Sequence, residues 1–256
     1  MNGNAAKENE YPFAASVMVD SLAMMSLCGG AIIGSNEVVT AAHCVLDTES
    51  GSLYDPSEIL VGVGHVRRSN QVQLKVESVI LHPDYRTSDL ANDIAVLKVP
   101  DLTQFLESGS LAFGGAPYFI SAIPIYPGDI PERTRLTALG WGATLDDTVD
   151  STSDVLRYSE RDVGSQNRCR TVLPDYESSE GPQICTDNNL TPGTATCHGD
   201  DGSSVVINKE GELLLAGLVS YGTGPGCGAT DGIEVYTHVG EYLGFILNAT
   251  TSFASY

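Results

Sequence analysis

Three short segments hold residue types that could carry out acid–base chemistry. His43 lies at the end of CGGAIIGSNEVVTAAHC, Asp93 opens the apolar run DIAVLKV, and Asp201 lies in CHGDDGSS. An imidazole can take the proton of an attacking hydroxyl when a buried carboxylate holds it in the right tautomer. Taken singly, a histidine beside a cysteine is more often structural, and an aspartate at a strand start is usually a turn residue. The hypothesis of a catalytic base with its carboxylate therefore depends on the combination.

Short β-strands are the elements that must position these residues. Val72, Leu74 and Val76 alternate with polar residues, which is typical of a half-buried strand. The apolar runs Ile94–Val99 and Leu213–Val219 indicate more deeply buried strands, and clusters of Gly, Pro, Asp and Ser separate the runs. Many short strands with frequent turns predict a sandwich or barrels rather than a βαβ fold.

The end of the chain carries the one clear helical pattern. From His238 to Asn248, apolar residues recur at helical spacing on one face. The segment from about Gly114 to Pro131 is rich in Gly, Pro and aromatic residues, which favours a linker between two halves of one unit.

The charge balance excludes several classes of partner. The 256 residues include 33 acidic and 13 basic ones, for a net charge of −20. Nucleic acids and anionic membrane surfaces need Lys and Arg on the protein, so neither is expected as a partner, whereas a basic peptide or protein would be attracted. The charge also has a simpler interpretation as an aid to solubility.

No apolar run is long enough to span a bilayer, and the first residues do not resemble a signal peptide, as expected for the mature part of a secreted protein.

Six cysteines point to an oxidising compartment. Six allow 15 pairings, so their number alone leaves the framework open. The chain has no CxxC motif, and an even number beside the sequons at Asn189 and Asn248 favours disulfides, secretion and glycosylation. The cysteines are Cys28, Cys44, Cys169, Cys185, Cys197 and Cys227.

Several further segments, taken in order, resemble the chymotrypsin/trypsin family of serine proteases. Besides TAAHC and NDIAVLKV, the chain contains HPDY (82–85), GWG (140–142), SYG (220–222) and VYTHV (235–239). The resemblance covers nearly the whole chain. It implies an all-β fold of two antiparallel six-stranded barrels in one peptidase domain, residues 1–256, with the active site between the barrels. The implied bounds are about 13–113 for barrel 1, 114–131 for the linker, 132–237 for barrel 2 and 238–248 for the C-terminal helix.

The resemblance also assigns roles to individual residues. His43 would be the base, Asp93 would orient it, and Ser220 would hydrogen-bond the Asp93 carboxylate. The backbone N–H groups of Gly199 and residue 201 would form the oxyanion hole. The implied disulfides are Cys28–Cys44, Cys169–Cys185 and Cys197–Cys227.

The nucleophile position departs from the family. The family motif GDSGGP reads GDDGSS here, so Asp201 stands where the serine is expected. A carboxylate is a poor nucleophile toward an amide, and its charge lies where the oxyanion should develop. Ser203 lies two residues further on and is not expected to replace the serine. We therefore predict a secreted, inactive homologue that binds or regulates other proteins. The alternatives are an endopeptidase that cleaves after Lys or Arg and carries an inactivating substitution, and an unrelated β lectin or adhesin, which the matched segments oppose.

The amino terminus departs as well. In the family, a new terminal ammonium pairs with the aspartate before the serine, here Asp200. The chain begins Met1-Asn2-Gly3, and the position of the expected isoleucine is not filled. Without that partner, Asp200 is expected to swing away and to leave the Gly199 N–H misdirected.

The specificity pocket can be assigned from the same resemblance. Ala195 stands at its base in place of the aspartate of trypsin, Ser220 and Gly222 line its wall, and Glu234 replaces a usual glycine. Glu234 would either pair with a Lys or Arg side chain, or it would simply fill the pocket or turn to solvent. The stretch His65 to Glu77 carries a single carboxylate, so no calcium site, and no other metal or cofactor, is expected. A monomer is expected.

Overall fold

Strands dominate the chain. The computed structural model describes residues 1–20, 25–47, 50–108, 111–113, 116–144 and 151–251, so positions 114 and 115 of the expected linker lie outside the described residues. The strands are β1 (Asn4–Ala5), β2 (Ala14–Asp20), β3 (Met25–Ile32), β4 (Glu37–Thr40), β5 (Ile59–Val63), β6 (Val72–Lys75), β7 (Ser78–Leu81), β8 (Ala95–Lys98), β9 (Leu111–Phe113), β10 (Ala116–Tyr118), β11 (Arg135–Gly140), β12 (Arg157–Asp162), β13 (Gln183–Asp187), β14 (Ser204–Lys209), β15 (Glu212–Gly222) and β16 (Ile233–His238).

The first sheet has seven antiparallel strands rather than the six expected. Their order is β6-β5-β2-β3-β4-β8-β7. The two edge strands are consecutive in the chain and are separated only by Val76 and Glu77. The Val76 N–H donates to the Ile59 carbonyl (3.3 Å) and the Glu77 N–H to the Lys98 carbonyl (2.8 Å), so one continuous segment pairs with both edges. The interruption therefore divides one strand into two, which accounts for the seventh strand. Because this segment pairs with both edges, the sheet curls back on itself.

The second sheet also has seven antiparallel strands, in the order β1-β12-β11-β14-β15-β16-β13. Its additional member is the two-residue β1, which pairs with the edge strand β12. At the other end, Val163 forms a bridge with Thr186 of β13 directly after β12, which brings the two edges together. The expectation of two all-β, antiparallel halves is confirmed, but each sheet has seven strands instead of the expected six.

Helices are few and short among the described residues. They are α1 (Thr103–Ser108), α2 (Gln166–Arg170) and α3 (Leu243–Thr251), with 3-10 turns at Ala42–Val45, Pro56–Glu58, Arg68–Asn70 and Val239–Tyr242. The C-terminal helix was expected over 238–248. His238 instead ends β16, a 3-10 turn follows, and the α-helix runs on to Thr251. No helix among the described residues is long and apolar enough to cross a membrane.

Apolar packing joins the two sheets and thereby fixes the cleft between them. Val39 and Val96 of the first sheet pack with Leu139 and Leu218 of the second, and Ile246 of α3 covers them. Each of these side chains is at most 4% exposed. Burial of this much apolar surface is the main favourable contribution to folding, so the sheets hold the residues between them in a defined arrangement.

Candidate functional site

A hydrogen-bonded network links one sheet to the other at the cleft. The Asp93 Oδ2 atom lies 2.8 Å from His43 Nδ1 and accepts a hydrogen bond from the Ser220 hydroxyl at 2.5 Å. The other carboxylate oxygen accepts from the His43 backbone N–H at 3.0 Å. Asp93 is 1% exposed, so its carboxylate is held by these donors rather than by water. The arrangement leaves His43 Nε2 directed away from Asp93 and able to act on another group.

Local structure holds the two main members of this network in place. His43 lies in the 3-10 turn that follows β4, and the adjacent Cys44 is bonded to Cys28 of β3. Asp93 directly precedes the buried segment that leads into β8. The Thr237 hydroxyl of β16 donates to the Asp93 carbonyl at 2.8 Å, a contact that the sequence analysis missed. Each half of the molecule therefore contributes to the position of the histidine–aspartate pair.

The carboxylate of Asp201 faces the free edge of the imidazole. Its Oδ1 lies 4.0 Å from His43 Nε2, and its side chain is 37% exposed. Gly199 and Gly202 flank it at φ values of +89° and +72°, which a side chain would disfavour.

The charges of this cluster alter two pKa values. Burial by itself lowers the pKa of His43, but the hydrogen bond that its ring donates to Asp93 and the charges of Asp93 and Asp201 outweigh it, so the pKa of His43 is raised. The Asp201 side chain is 37% exposed, but the protein around it still removes water from its carboxylate and raises its pKa, and the nearby His43 opposes this rise. The imidazolium form of His43 is therefore favoured between two carboxylates.

We expect Asp201→Asn to lower the pKa of His43, because it removes one of the two neighbouring charges that raise it. An NMR titration of the ring resonances measures this change. His82 serves as an internal control, since its ring packs 4.8 Å from that of Phe245 and Asp84 is the charge that acts on it. The stability that the raised pKa of His43 contributes is present below the ordinary histidine pKa and is lost as pH rises through the folded-state pKa. An unchanged His43 titration in the variant would contradict the geometry.

Asp200 does not swing away, contrary to the sequence-based expectation. One of its oxygens accepts from the Gly142 N–H at 2.7 Å and the other from the Cys197 N–H at 2.9 Å. Burial is the main cause that raises its pKa, to about 7. The terminal amine of Met1 donates to the Ala195 carbonyl at 2.5 Å. The charge of the Met1 ammonium and these two backbone donors all oppose the rise in the pKa of Asp200, and the carboxylate stays directed inward.

Ser203 is not available as a replacement nucleophile. It is 2% exposed, and its hydroxyl has no hydrogen-bond partner among the described residues. A β-carbon placed on Gly29 would lie 1.9 Å from the Ser203 hydroxyl oxygen, so the serine packs against the backbone of β3. The side chain is therefore enclosed in the junction between the sheets and cannot reach a bound peptide.

The pocket beside Asp201 is a cavity of about 180 Å³. Gly222 and Glu234 line it, as the sequence predicts, whereas Ala195 and Ser220 are not among its lining residues. Ala195 instead borders a much smaller cavity together with Met1 and Asp200. The Ser220 hydroxyl is directed to Asp93, so its side chain supports the network rather than the pocket.

Glu234 follows neither of the two interpretations left open by the sequence. It is 2% exposed, and its carboxylate forms an ion pair with the fully buried Arg161 at 3.2 Å. Tyr236 donates its hydroxyl to the same carboxylate at 2.6 Å. The expected preference for Lys or Arg is therefore not supported, because the charge of Glu234 is already balanced inside the protein. Sequence reasoning missed Arg161, because the polar segment RYSERD does not indicate which of its residues faces inward.

All three expected disulfides are present. They join Cys28 to Cys44, Cys169 to Cys185 and Cys197 to Cys227. Two clusters also bring a histidine close to a cysteine pair, with His43 in one and His198 in the other. In both clusters the cysteines are joined by a disulfide, so they offer no thiolate ligand for a metal.

The two-sheet fold with a histidine–aspartate–serine network in its cleft is that of the chymotrypsin-like serine proteases. Residues 1–246 match the family model described as Trypsin. Vitamin K-dependent protein C from Mus musculus is 28% identical over 96% of this chain and 50% of that protein. The same protein from Rattus norvegicus gives the same identity and coverage. Brachyurin from Leptuca pugilator is 29% identical over 98% of both chains. The chain thus spans about half the length of protein C, and it belongs to the trypsin family.

Proposed function

We propose that this chain is a trypsin-family protein that binds peptides or proteins in its cleft without cleaving them. The observation that supports the proposal most directly is the carboxylate of Asp201, 4.0 Å from His43 Nε2 at the position of the family's nucleophile. In that position the family chemistry needs a hydroxyl that His43 can deprotonate.

Two physical features of Asp201 oppose catalysis. Attack by a carboxylate on an amide would form an anhydride and expel an amine, which is unfavourable. The negative charge of Asp201 would repel the developing oxyanion as well. The cleft itself is retained, which leaves binding as the function that this geometry supports best.

The wider setting of the protein is part of the same proposal. We infer secretion from the three disulfides, which persist in oxidising compartments. Asn189 and Asn248 are both exposed, as glycosylation would require. The net charge of −20 favours a protein or peptide partner with basic surface outside the pocket, rather than nucleic acid or an anionic membrane. We further propose that it acts as a monomer and without a cofactor.

A peptide library tests the proposal directly. The purified chain is incubated with the library, bound peptides are eluted, and mass spectrometry determines which of them are intact. We expect selective retention of uncleaved peptides that a cleft-filling variant, Gly222→Phe, fails to retain. Appearance of cleavage products that disappear in His43→Ala would contradict the proposal, because it would show that the site is catalytic with Asp201 in place.

A further inference from the structure

The wall of the cleft pocket is backed by an ion pair that lies wholly inside the protein. Arg161 of β12 is 0% exposed and Glu234 of β16 is 2% exposed. Their side chains meet at 3.2 Å, between Arg161 Nη2 and Glu234 Oε1. Glu234 lines the pocket, whereas Arg161 is not among the lining residues. The positive partner therefore reaches the carboxylate from behind, on the side away from any ligand.

Further hydrogen bonds hold both members of the pair. The guanidinium donates to the Thr194 carbonyl at 2.5 Å and to the side-chain oxygen of Asn188. The Glu234 carboxylate accepts from the Tyr236 hydroxyl and, at 3.2 Å, from the Thr196 N–H. A carboxylate has about four acceptor positions, so three of them are already used. Glu234 is consequently fixed in place and has little capacity to turn toward a new cation.

We infer that Arg161 is an internal counter-ion that determines the selectivity of this pocket, so that it receives a neutral side chain and disfavours Lys and Arg. An entering cation would be attracted by Glu234 and repelled by Arg161, while it would still lose its own hydration. Asp201 also lines the cavity, and His43 faces its charge at 4.0 Å. The gain from Glu234 is therefore offset by Arg161 and the gain from Asp201 is reduced by His43, while the desolvation cost of the cation remains.

The size and walls of the cavity suit a neutral side chain. Its volume of about 180 Å³ is similar to that of apolar cavities of about 150 Å³ that bind benzene. Val219 and Ile233 contribute apolar surface, and Gly222 and Gly228 leave the interior open. A side chain of the size of Leu, Met or Phe would bury its apolar surface there without leaving an unpaired charge. This inference rests on the proposed function and names the class of side chain that the cleft would select.

Two probes of the same shape test the inference, namely the neutral benzamide and the cationic benzamidinium ion. Their affinities for the complete chain are measured by NMR chemical-shift titration of pocket residues. We expect the wild-type chain to bind benzamide at least as tightly as benzamidinium. In Arg161→Met, Glu234 loses its counter-ion, and we expect benzamidinium to bind at least tenfold more tightly than benzamide. The double variant Arg161→Met, Glu234→Gln carries no charge at this site and should return to the wild-type preference.

A tenfold wild-type preference for benzamidinium would overturn the inference. The same holds if Arg161→Met leaves the ratio of the two affinities unchanged, or if neither probe shifts the pocket resonances of the wild-type chain. Arg161→Met leaves a buried carboxylate unpaired and can fail to fold. In that case the ratio of the two affinities, measured in the wild-type chain and in the double variant, still tests the inference. Neither of these proteins has an unpaired charge at positions 161 and 234. The peptide-library assay is read separately, so retention of intact peptides together with a cation-selective pocket would reject only this inference.

Discussion

Asp201→Ser is expected to make this chain hydrolyse peptide bonds. Loss of the serine from such a site typically lowers turnover by about 10⁶, so even partial repair would raise hydrolysis by about 10⁴ over the parent chain. His43 already has its carboxylate partner at 2.8 Å, and Ser220 supports that carboxylate. The introduced hydroxyl would therefore meet a base that is already oriented. Peptide p-nitroanilides with different residues before the scissile bond provide the measurement, and those with neutral residues there should react fastest.

We expect the single substitution to be sufficient for hydrolysis because the carboxylate of Asp200 is already directed inward. If this carboxylate swung away, the Gly199 N–H would be misdirected, and one lost oxyanion donor costs about 10² to 10³ in rate. The structure instead holds Asp200 by the Gly142 and Cys197 N–H groups. Replacing Asp201 also removes a negative charge from the place where the oxyanion develops. We therefore expect both oxyanion donors to be available once the carboxylate is replaced.

A matched variant separates true repair from contamination by another protease. His43→Ala combined with Asp201→Ser keeps the new hydroxyl but removes the base, so its hydrolysis should return to the level of the parent chain. A phosphonate that labels activated serines should likewise react only when His43 is present. No hydrolysis of any substrate by a folded Asp201→Ser chain would show that the cleft has lost more than its nucleophile, and it would strengthen the proposal of a binding protein.

Sequence motifs correctly predicted those residues of the site that lie within short, recognisable segments of the chain. His43, Asp93 and Ser220 each lie in a short run typical of the family, and the structure brings all three together. The three disulfides followed from the same resemblance. The strand counts did not, because the break of the β6–β7 segment and the pairing of β1 with β12 depend on which edges meet.

Two features could not be predicted because they depend on contacts between distant segments. Arg161 and Glu234 are 73 positions apart in the chain, and only the arrangement of β12 and β16 in the second sheet brings them together. Glu234 alone suggested a free carboxylate for a cationic ligand. The orientation of Asp200 was predicted wrongly for a related reason. Only the amine of the family's isoleucine was considered as its partner, whereas in the fold two backbone N–H groups hold the carboxylate and the charge of the Met1 ammonium acts on it as well.

Gly202→Ala is expected to destabilise the protein by about 3 to 5 kcal/mol, from left-handed backbone strain and overpacking together. Gly202 lies at the junction of the two sheets, where its N–H donates to the Val219 carbonyl of β15 at 2.7 Å. A β-carbon there would lie 2.3 Å from Thr40 Oγ1 and 2.7 Å from the Gly29 carbonyl oxygen, both in the first sheet. Because a backbone carbonyl cannot move aside as the end of a long side chain can, the sheets must separate. Urea-induced unfolding with the disulfides intact measures the loss.

Gly211 provides the control that divides this loss into its two causes. It also has a positive φ, +94°, but a β-carbon there would meet nothing within 4 Å. Gly211→Ala therefore carries the backbone strain without the steric clash and should cost only about 1 to 2 kcal/mol. Equal losses in the two variants would mean that the junction between the sheets yields easily. The larger loss at Gly202 is expected because the turn that holds Asp201 is packed directly against β3 and β4. The same packing fixes the carboxylate opposite His43, so a junction that yields would also leave the distance between Asp201 and His43 poorly defined.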